Sequence, residues 1–521
     1  MNLSVFKKVR VVVSLFFFVV LTYIFIDFRT NIPSQFINGI TFLQFIPSVL
    51  KFIAVLSLSA GGFLLILVLT FLFGRVYCSS ICPLGTLQDF ISRFAKKANK
   101  KKRYKFSVPH NVYRYSFLSV FLLSYLAGSI YIVNLLDPYS NFGKIISNIF
   151  RPVYIASNNS VVWLLEKMDL YWLYPYDFRG LPYLSLIFSF SFLVIIIILS
   201  YRNGRLYCNS VCPVGTILGL ISKYSVYKIK IDADNCKGCG VCERVCKAKC
   251  IDMNKEDRKV DSSRCVACFN CFDVCPTSGI HYTRDKKKKN LATRNVDESK
   301  RNFIVSSFIY LIGLASASVA QVKVIPKKLS KIPINKKNPV SPPGSKSIEF
   351  FTDRCTACHL CITACPTQVL QPSYLHYGFL GMMQPTMDYN KSFCNFECII
   401  CTEVCPTGAL LPLKPEDKKL VQIGKVNFIK DNCIVHTENT ECGACSEHCP
   451  TKAVSMVPFK NLLEPKTNPD ICIGCGACEY ACPVKPYKAI YVDGNAVHLK
   501  AQKPKVEKLE QKVNYEEDFP F

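Results

Sequence analysis

Cysteine sets the chemistry of this chain: it accounts for 29 of the 521 residues. Most of these cysteines fall into six runs of the form Cys-x2-Cys-x2-Cys-x3-Cys, usually followed by proline, and the runs come in three pairs. The first pair is Cys236, Cys239, Cys242, Cys246 with Cys265, Cys268, Cys271, Cys275. The second is Cys355, Cys358, Cys361, Cys365 with Cys394, Cys398, Cys401, Cys405, and the third is Cys433, Cys442, Cys445, Cys449 with Cys472, Cys475, Cys478, Cys482. At this spacing three close thiolates wrap one iron–sulfur cubane, while the remote fourth closes the neighbouring cube. The exchange predicts six [4Fe–4S] clusters: Cys236, Cys239, Cys242 with Cys275; Cys265, Cys268, Cys271 with Cys246; Cys355, Cys358, Cys361 with Cys405; Cys394, Cys398, Cys401 with Cys365; Cys433, Cys442, Cys445 with Cys482; and Cys472, Cys475, Cys478 with Cys449.

Three runs depart from the pattern. The first has Lys247 in place of proline, and Cys250 lies close enough to substitute as a ligand; the fourth has three residues between its first two cysteines; the fifth has eight, which singles out Cys433. Zinc usually takes paired Cys-x2-Cys hooks or adds histidines, so six full quartets argue against it. A disulfide scaffold is excluded by length and by the odd cysteine count.

A second constellation is an internal repeat. GRVYCSSICPLGTLQDFIS (74–92) recurs as GRLYCNSVCPVGTILGLIS (204–222) at a constant offset of 130 residues. Each copy follows an apolar helix, which predicts two helix hairpins related by a pseudo-two-fold axis. The repeat would bring Cys78, Cys82, Cys208 and Cys212 to one level, where four soft thiolates could hold iron or an iron–sulfur centre, or form a redox pair. The alternative is a helix-end packing motif with inert thiols.

The elements that must position these cysteines divide by composition. Half of the residues are hydrophobic and only 19% are charged, with a net charge of +27. Charge-free runs at 11–26, 52–74, 115–136, 181–201 and 302–322 predict five membrane helices, most near the roughly 20 residues that cross a bilayer. Basic residues precede the first run (Lys7, Lys8, Arg10) and crowd 91–105, whereas 28–48 holds only Arg29. Basic loops stay cytoplasmic, so the N-terminus, 75–112 and 202–301 are expected inside, and 28–48 and 137–180 outside. Because the basic runs flank membrane helices, they do not indicate nucleic acid as a partner.

Before the fifth run, Ser299-Lys300-Arg301-Asn302-Phe303-Ile304 resembles a twin-arginine export signal. Clusters assembled in the reducing cytoplasm should cross folded, which suits that route; the alternative is a helix that leaves residues 321–521 cytoplasmic. The expected organisation is a membrane domain with two CxxxCP repeats (1–225), a cytoplasmic 2[4Fe–4S] domain (226–285), a basic linker with an export-like helix (286–322), a Lys- and Pro-rich linker (323–346), a periplasmic polyferredoxin with four clusters (347–500) and a charged tail (501–521). The fold class is an integral membrane α-helical bundle, four helices as two repeated hairpins plus a fifth helix, carrying α+β bacterial 2[4Fe–4S] ferredoxin-like domains.

With its paired GRxYCxxxCPxGT motifs, the Asp137-Pro138-Tyr139 turn and the trailing cysteine pair, 1–285 resembles the NapH/MauN-type membrane ferredoxins. Residues 299–490, with the export-like signal, Pro342-Pro343-Gly344 and four cysteine runs, resemble the NapG/MauM-type exported ferredoxins. The resemblance implies a fusion of the two, located in a bacterial cytoplasmic membrane. It also implies a route from the quinone pool, with quinol as electron donor, to a periplasmic reductase or cytochrome. Such a chain carries electrons or forms a quinol dehydrogenase component, without a side chain of its own doing bond chemistry. A different reading is a maturation factor that supplies electrons to a metalloprotein through the CxxxCP thiols. His110 could accept a quinol proton, but it reads more simply as an interfacial histidine, and Trp163, Tyr171 and Trp172 read as an interfacial aromatic belt.

Overall fold

The computed structural model describes residues 3–27, 31–57, 60–98, 103–177, 183–232, 234–253, 258–284 and 332–503. The expected fifth helix, the export-like signal and most of the charged tail lie outside the described residues.

Two helices are long and apolar enough to cross a membrane: the Val5–Ile26 stretch of α1 (Leu3–Ile26), and α11 (Tyr183–Asn203). Both are apolar on every side and leave side chains such as Val12, Val19, Ile187 and Phe190 exposed. A helix of that kind suits lipid as its solvent.

The other expected spans differ from the sequence reading. Run 52–74 is interrupted, because α3 (Phe45–Val55) ends at Leu56 in the left-handed conformation (φ 50°) and α4 (Gly62–Phe73) has only 12 residues. α3 itself meets α2 (Ser34–Phe42) at 106°, as in a broken span or a re-entrant loop. Run 115–136 is also split: α7 (Asn111–Leu126) closes at Gly128, where Ser129 N–H bonds back to the Ser124 carbonyl at 2.9 Å, before α8 (Tyr131–Leu136). Counting uncharged residues cannot see such breaks, since Ala127, Gly128 and Ser129 carry no charge. The expected outer loop 137–180 is largely helical as well. The Asp137 carboxylate caps α9 (Pro138–Ile145) by accepting from Tyr139 N and Ser140 N, and a π turn then leads into α10 (Arg151–Glu166). The first half of this segment is buried.

The repeat is visible in the fold. After α4 and α11 the chain turns at Gly74 and Gly204 into the short helices α5 (Val76–Ser80) and α12 (Leu206–Ser210). Pro83 and Pro213 then open α6 (Pro83–Ala98) and α13 (Pro213–Ser222), at the one helical position where a missing N–H costs nothing.

The cysteine-rich parts are framed by two-stranded antiparallel ribbons. In the first, β1 (Tyr227–Ile231) pairs with β4 (Ile280–Arg284), and β2 (Ile251–Asp252) with β3 (Lys259–Val260). In the second, β5 (Leu370–Pro372) pairs with β6 (Pro385–Met387), β7 (Val421–Phe428) with β10 (Ile490–Lys500), and β8 (Val454–Phe459) with β9 (Leu462–Thr467). Ribbons this short carry little stability alone, and the core between them is built largely from the cysteines themselves.

These two parts sit at opposite ends of α1. Near its start, Phe6 packs on Phe269 and Tyr282 (ring centroids 5.7 and 6.2 Å), and Lys7 pairs with Asp273. At its other end, Ile24 and Asp27 share a cavity wall with Leu360 and Glu403.

Candidate iron–sulfur centres

The cysteine loops are made by backbone conformation. In the four runs with strict x2–x2 spacing, the residues on both sides of the second cysteine are left-handed: Gly238 and Gly240 (φ 73° and 66°), Ala267 and Phe269 (49° and 58°), Ala357 and His359 (49° and 67°), Gly474 and Gly476 (78° and 77°). Such residues curl the chain so that three side chains face one centre, and non-glycine residues adopt this region at a cost that surrounding structure must offset. Neither residue flanking Cys398 or Cys442 is left-handed, where three and eight residues respectively separate the first two cysteines. The insertions make the tight curl unnecessary.

Five of the six fourth cysteines, all but Cys482, share a turn of their own. Lys249, Ser278, Gln368, Gly408 and Lys452, each three residues after a fourth cysteine, all have positive φ. Thr277, Thr367, Thr407 and Thr451 place Oγ1 3.6–3.8 Å from the sulfur of the preceding Cys275, Cys365, Cys405 and Cys449. The first run keeps this turn with Lys247 in the proline position, so that substitution leaves the loop geometry intact.

The chain brings together most of the expected quartets. Cys361 has Cys355, Cys358 and Cys405 as neighbours, and Cys401 has Cys394, Cys365 and Cys398. Cys478 lies among Cys475, Cys472 and Cys449. Cys433, Cys442, Cys445 and Cys482 line one small cavity. Cys246, Cys265, Cys268 and Cys271 line another, which also includes Cys250. Cys250 Sγ is 3.5 Å from Cys246 Sγ; the hydrogen bond between them holds the Cys246 thiol down and pushes Cys250 up. Cys242 faces Cys236 and Cys239, while Cys275 contacts Thr277.

Burial first, with the charge of neighbouring sulfurs adding to it, pushes the Cys358, Cys445 and Cys475 thiols up to about 12. Crowded buried thiols are poor thiolates by themselves, whereas a cationic centre among them reverses that preference. Among the described residues no three His, Cys, Asp or Glu side chains converge as a single-ion site requires. A cubane needs instead one sulfur at each of four corners, and the cysteine-lined cavities fit that arrangement.

The CxxxCP thiols of the two repeats come together, all four buried. Cys212 has Cys208, Cys78 and Cys82 as neighbours. The two repeats exchange arginines: Arg75 Nη2 donates to the Cys208 carbonyl (3.0 Å) and Arg205 Nη1 to the Cys78 carbonyl (2.5 Å). Gly85 and Gly215 make the crossing possible, since a Cβ at either would lie 2.7–2.8 Å from the opposite guanidinium. The sulfurs receive side-chain donors too, Gln88 Nε2 to Cys208 Sγ at 3.3 Å and Arg75 to Cys78 Sγ at 3.7 Å. Sequence reading found Arg75 and Arg205 as repeat members but missed this role; their recurrence was the available signal.

Symmetry breaks where Asp89 in the first copy corresponds to Gly219 in the second. Burial opposes the Asp89 charge, but Arg205 (2.9 Å), Lys247 (3.3 Å) and Arg10 (3.1 Å) hold its carboxyl below the usual carboxylate range. Gly219 leaves room for the Arg114 guanidinium, which donates to the Ser263 carbonyl at 2.9 Å. Together with Arg75 on Ser263 (3.2 Å) and Asn209 on Ala248 (3.2 Å), this clamps the repeat onto backbone adjoining Cys250 and Cys265.

At the other end, α9 meets the second cysteine pair. A Cβ on Gly143 would lie 2.5 Å from the Cys358 carbonyl, Ser140 Oγ is 2.8 Å from Thr356 Oγ1, and Arg151 donates to the Thr363 carbonyl at 3.0 Å. His359 donates Nε2–H to the Met383 carbonyl (3.0 Å). Burial and then the Lys144 charge hold its imidazole down to about 3, so it is neutral. His110 is exposed, as are Trp163, Tyr171 and Trp172.

Comparison with known proteins agrees with this layout. A family described as "4Fe-4S binding domain" matches residues 58–102 and 185–232, the two CxxxCP repeats. Families described as "4Fe-4S dicluster domain" match 235–280, 354–410 and 439–486. The chain carries 4Fe-4S ferredoxin domains. Over 157 residues it is 29% identical to the ferredoxin-type protein NapF of Escherichia coli, covering 30% of this chain and 87% of NapF. Over 201 residues it is 27% identical to the methylamine utilization ferredoxin-type protein MauM of Methylophilus methylotrophus (36% of this chain, 84% of MauM). Over 200 residues it is 26% identical to the putative electron transport protein YccM of Escherichia coli (37% and 48%). No solved structure matches.

Proposed function

We propose that this protein carries electrons through a membrane, accepting them from quinol and passing them to an oxidoreductase on the outer face. The observation that supports this most is the placement of cysteine quartets at both ends of α1, a helix long and apolar enough to cross. The basic residues at its start support an orientation with the first cysteine pair inside and the other two outside. Six [4Fe–4S] clusters would be held by the quartets assigned above, with Cys246 and Cys250 both within reach of one of them.

Cys78, Cys82, Cys208 and Cys212 would hold a further iron–sulfur centre, a reading supported by the match of both repeats to a 4Fe-4S binding domain. The protein's contribution is to fix and insulate the clusters: ligand spacing, burial and hydrogen bonds to sulfur set each potential. No bond in a substrate is made or broken by its side chains.

The same buried quartet also favours a second reading, a redox maturation factor that uses these thiols as a switch. Anaerobic mixing with a short-chain quinol separates the two. Bleaching of the cluster absorbance supports the carrier; a Cys78/Cys208-dependent reduction of a partner without cluster turnover supports the switch. A topology reporter fused after residue 345 tests the orientation, and a cytoplasmic signal there overturns outward transfer.

A further inference from the structure

Between β5 and β6 the chain makes a hairpin whose tip has no part in the cysteine chemistry. Leu375, Phe379 and Leu380 at this tip are 71%, 57% and 58% exposed. The returning limb, by contrast, is fastened on two sides. Asn134 of α8 donates to the Met382 carbonyl at 3.0 Å, His359 donates to the Met383 carbonyl at 3.0 Å, and Gln384 donates to the Cys355 carbonyl at 2.9 Å. The hairpin therefore stands between the membrane part and the loop that carries Cys355 and Cys358. Its composition also sets it apart: the chain has 64 Lys and Arg residues, yet residues 355–387 contain no Lys, Arg, Asp or Glu.

The exposed tip continues the apolar surface of the helices beside it. The Phe379 ring lies against Tyr131 at the start of α8 (centroids 5.0 Å), and α7, one short turn earlier in the chain, exposes Leu122, Leu123 and Leu126. A docked protein would normally meet a polar rim, with charges that steer encounter and fix register. An uncharged tip of Leu, Phe and Tyr beside an apolar helix end has instead the make-up of segments that settle where acyl chains meet headgroups. We propose that residues 374–381 dip into the bilayer leaflet on the side of the second cysteine pair. The inference goes beyond electron transfer and rests only on the membrane reading of α1 and α11. Lipid contact at the tip steadies the limb 382–384 and, through its bonds to His359 and Cys355, holds the ligand loop at a fixed height against α9.

The test uses the full-length protein, purified anaerobically with its iron and reconstituted in phosphatidylcholine liposomes that include a phospholipid with a photoactivatable diazirine on its acyl chain. After illumination, lipid adducts are mapped by peptide mass spectrometry. Adducts on both α11 and 374–381 are expected. Adducts on α11 with none on 374–381 overturn the proposal and leave the membrane reading standing, with the tip facing water or another protein; adducts on neither overturn both. The paired variant Leu375→Ser/Leu380→Ser leaves the contact between Phe379 and Tyr131 in place. It should lose most of the hairpin's adducts while keeping its iron and its labelling on α11. Hairpin labelling equal to wild type in that variant overturns insertion by the apolar tip. Should the pair lose iron, Leu375→Ser alone, at the most exposed of the three side chains, decides.

Discussion

The two cysteine-rich regions use the same loop but embed it differently. In residues 332–503 most cysteines are buried within one continuous apolar core, where Phe351, Tyr389, Ile423 and Val492 pack between the quartets. In residues 226–284 Cys239 is exposed and Cys236, Cys265, Cys268 and Cys275 are only partly covered. The larger region supplies its own insulation; the smaller relies on Arg75 and Asn209 of the repeat and on Arg114 of α7 to cover one side. Solvent access is one of the main controls on cluster potential, so the two regions should differ in potential and in durability although their ligand chemistry is the same.

The largest effect should come from ligand loss in the buried region. Cys475→Ser is expected to remove one cubane, lowering iron by about 4 per chain, and to interrupt transfer to an outer acceptor. Membrane insertion should remain, because Cys475 lies far in sequence from α1 and α11; unchanged iron would show that the ligand assignment fails. Next comes the repeat that joins the regions. Arg205 is fully buried and paired with Asp89 at 2.9 Å. Asp89→Leu therefore strands a buried cation and should destabilise the membrane part by about 3–5 kcal/mol, read as a fall in melting temperature in detergent. A stability equal to wild type would mean the crossed arginines do not hold the repeats together.

This comparison also marks what the sequence could reveal. Ligand spacing is local, so the six cysteine runs and the three irregular ones among them were legible before any coordinates, and the left-handed residues around the second cysteine of the four x2–x2 runs follow from that spacing. The 130-residue repeat was legible as well. What was not legible depends on contacts distant in sequence: Gly143 against the Cys358 carbonyl, Ser140 against Thr356, and the crossing of Arg75 and Arg205. Hydropathy gave α1 and α11 correctly but read through the breaks after Val55 and Leu126, since uncharged turns look like uncharged helix. The helical segment from Pro138 to Glu166 was mistaken for a loop because its buried face carries Asn141, Lys144, Ser147 and Asn148, polar residues whose partners come from elsewhere in the fold.

A smaller effect tests durability directly. On exposure to air, the clusters bound at 236–275 should bleach before those bound at 355–482, because oxidants reach Cys239 most readily. Time-resolved EPR of the two cluster sets measures the order, and simultaneous loss would remove the distinction drawn from burial.

The smallest effect concerns pH and sets the regions apart without touching a ligand. His498 lies in the larger region, with Nε2 2.9 Å from Ser341 Oγ, and burial holds its imidazole down to about 4. Unfolded, the same group titrates near its ordinary value of about 6.5. Between those values the unfolded chain binds a proton that the folded chain refuses, so the neutral His498 contributes stability fully present above pH ~6.5 and lost as pH falls toward 4. The smaller region has Asp261 instead. Burial opposes its charge, but bonds from Ser263 and Arg264 hold the carboxyl below its usual value, so its contribution survives until pH drops below the ordinary carboxylate range. Chemical denaturation between pH 7 and 5 should therefore weaken the larger region first, and His498→Gln should flatten that decline while leaving the smaller region unchanged. A decline of equal slope in the variant would assign the pH sensitivity to the clusters instead of the histidine.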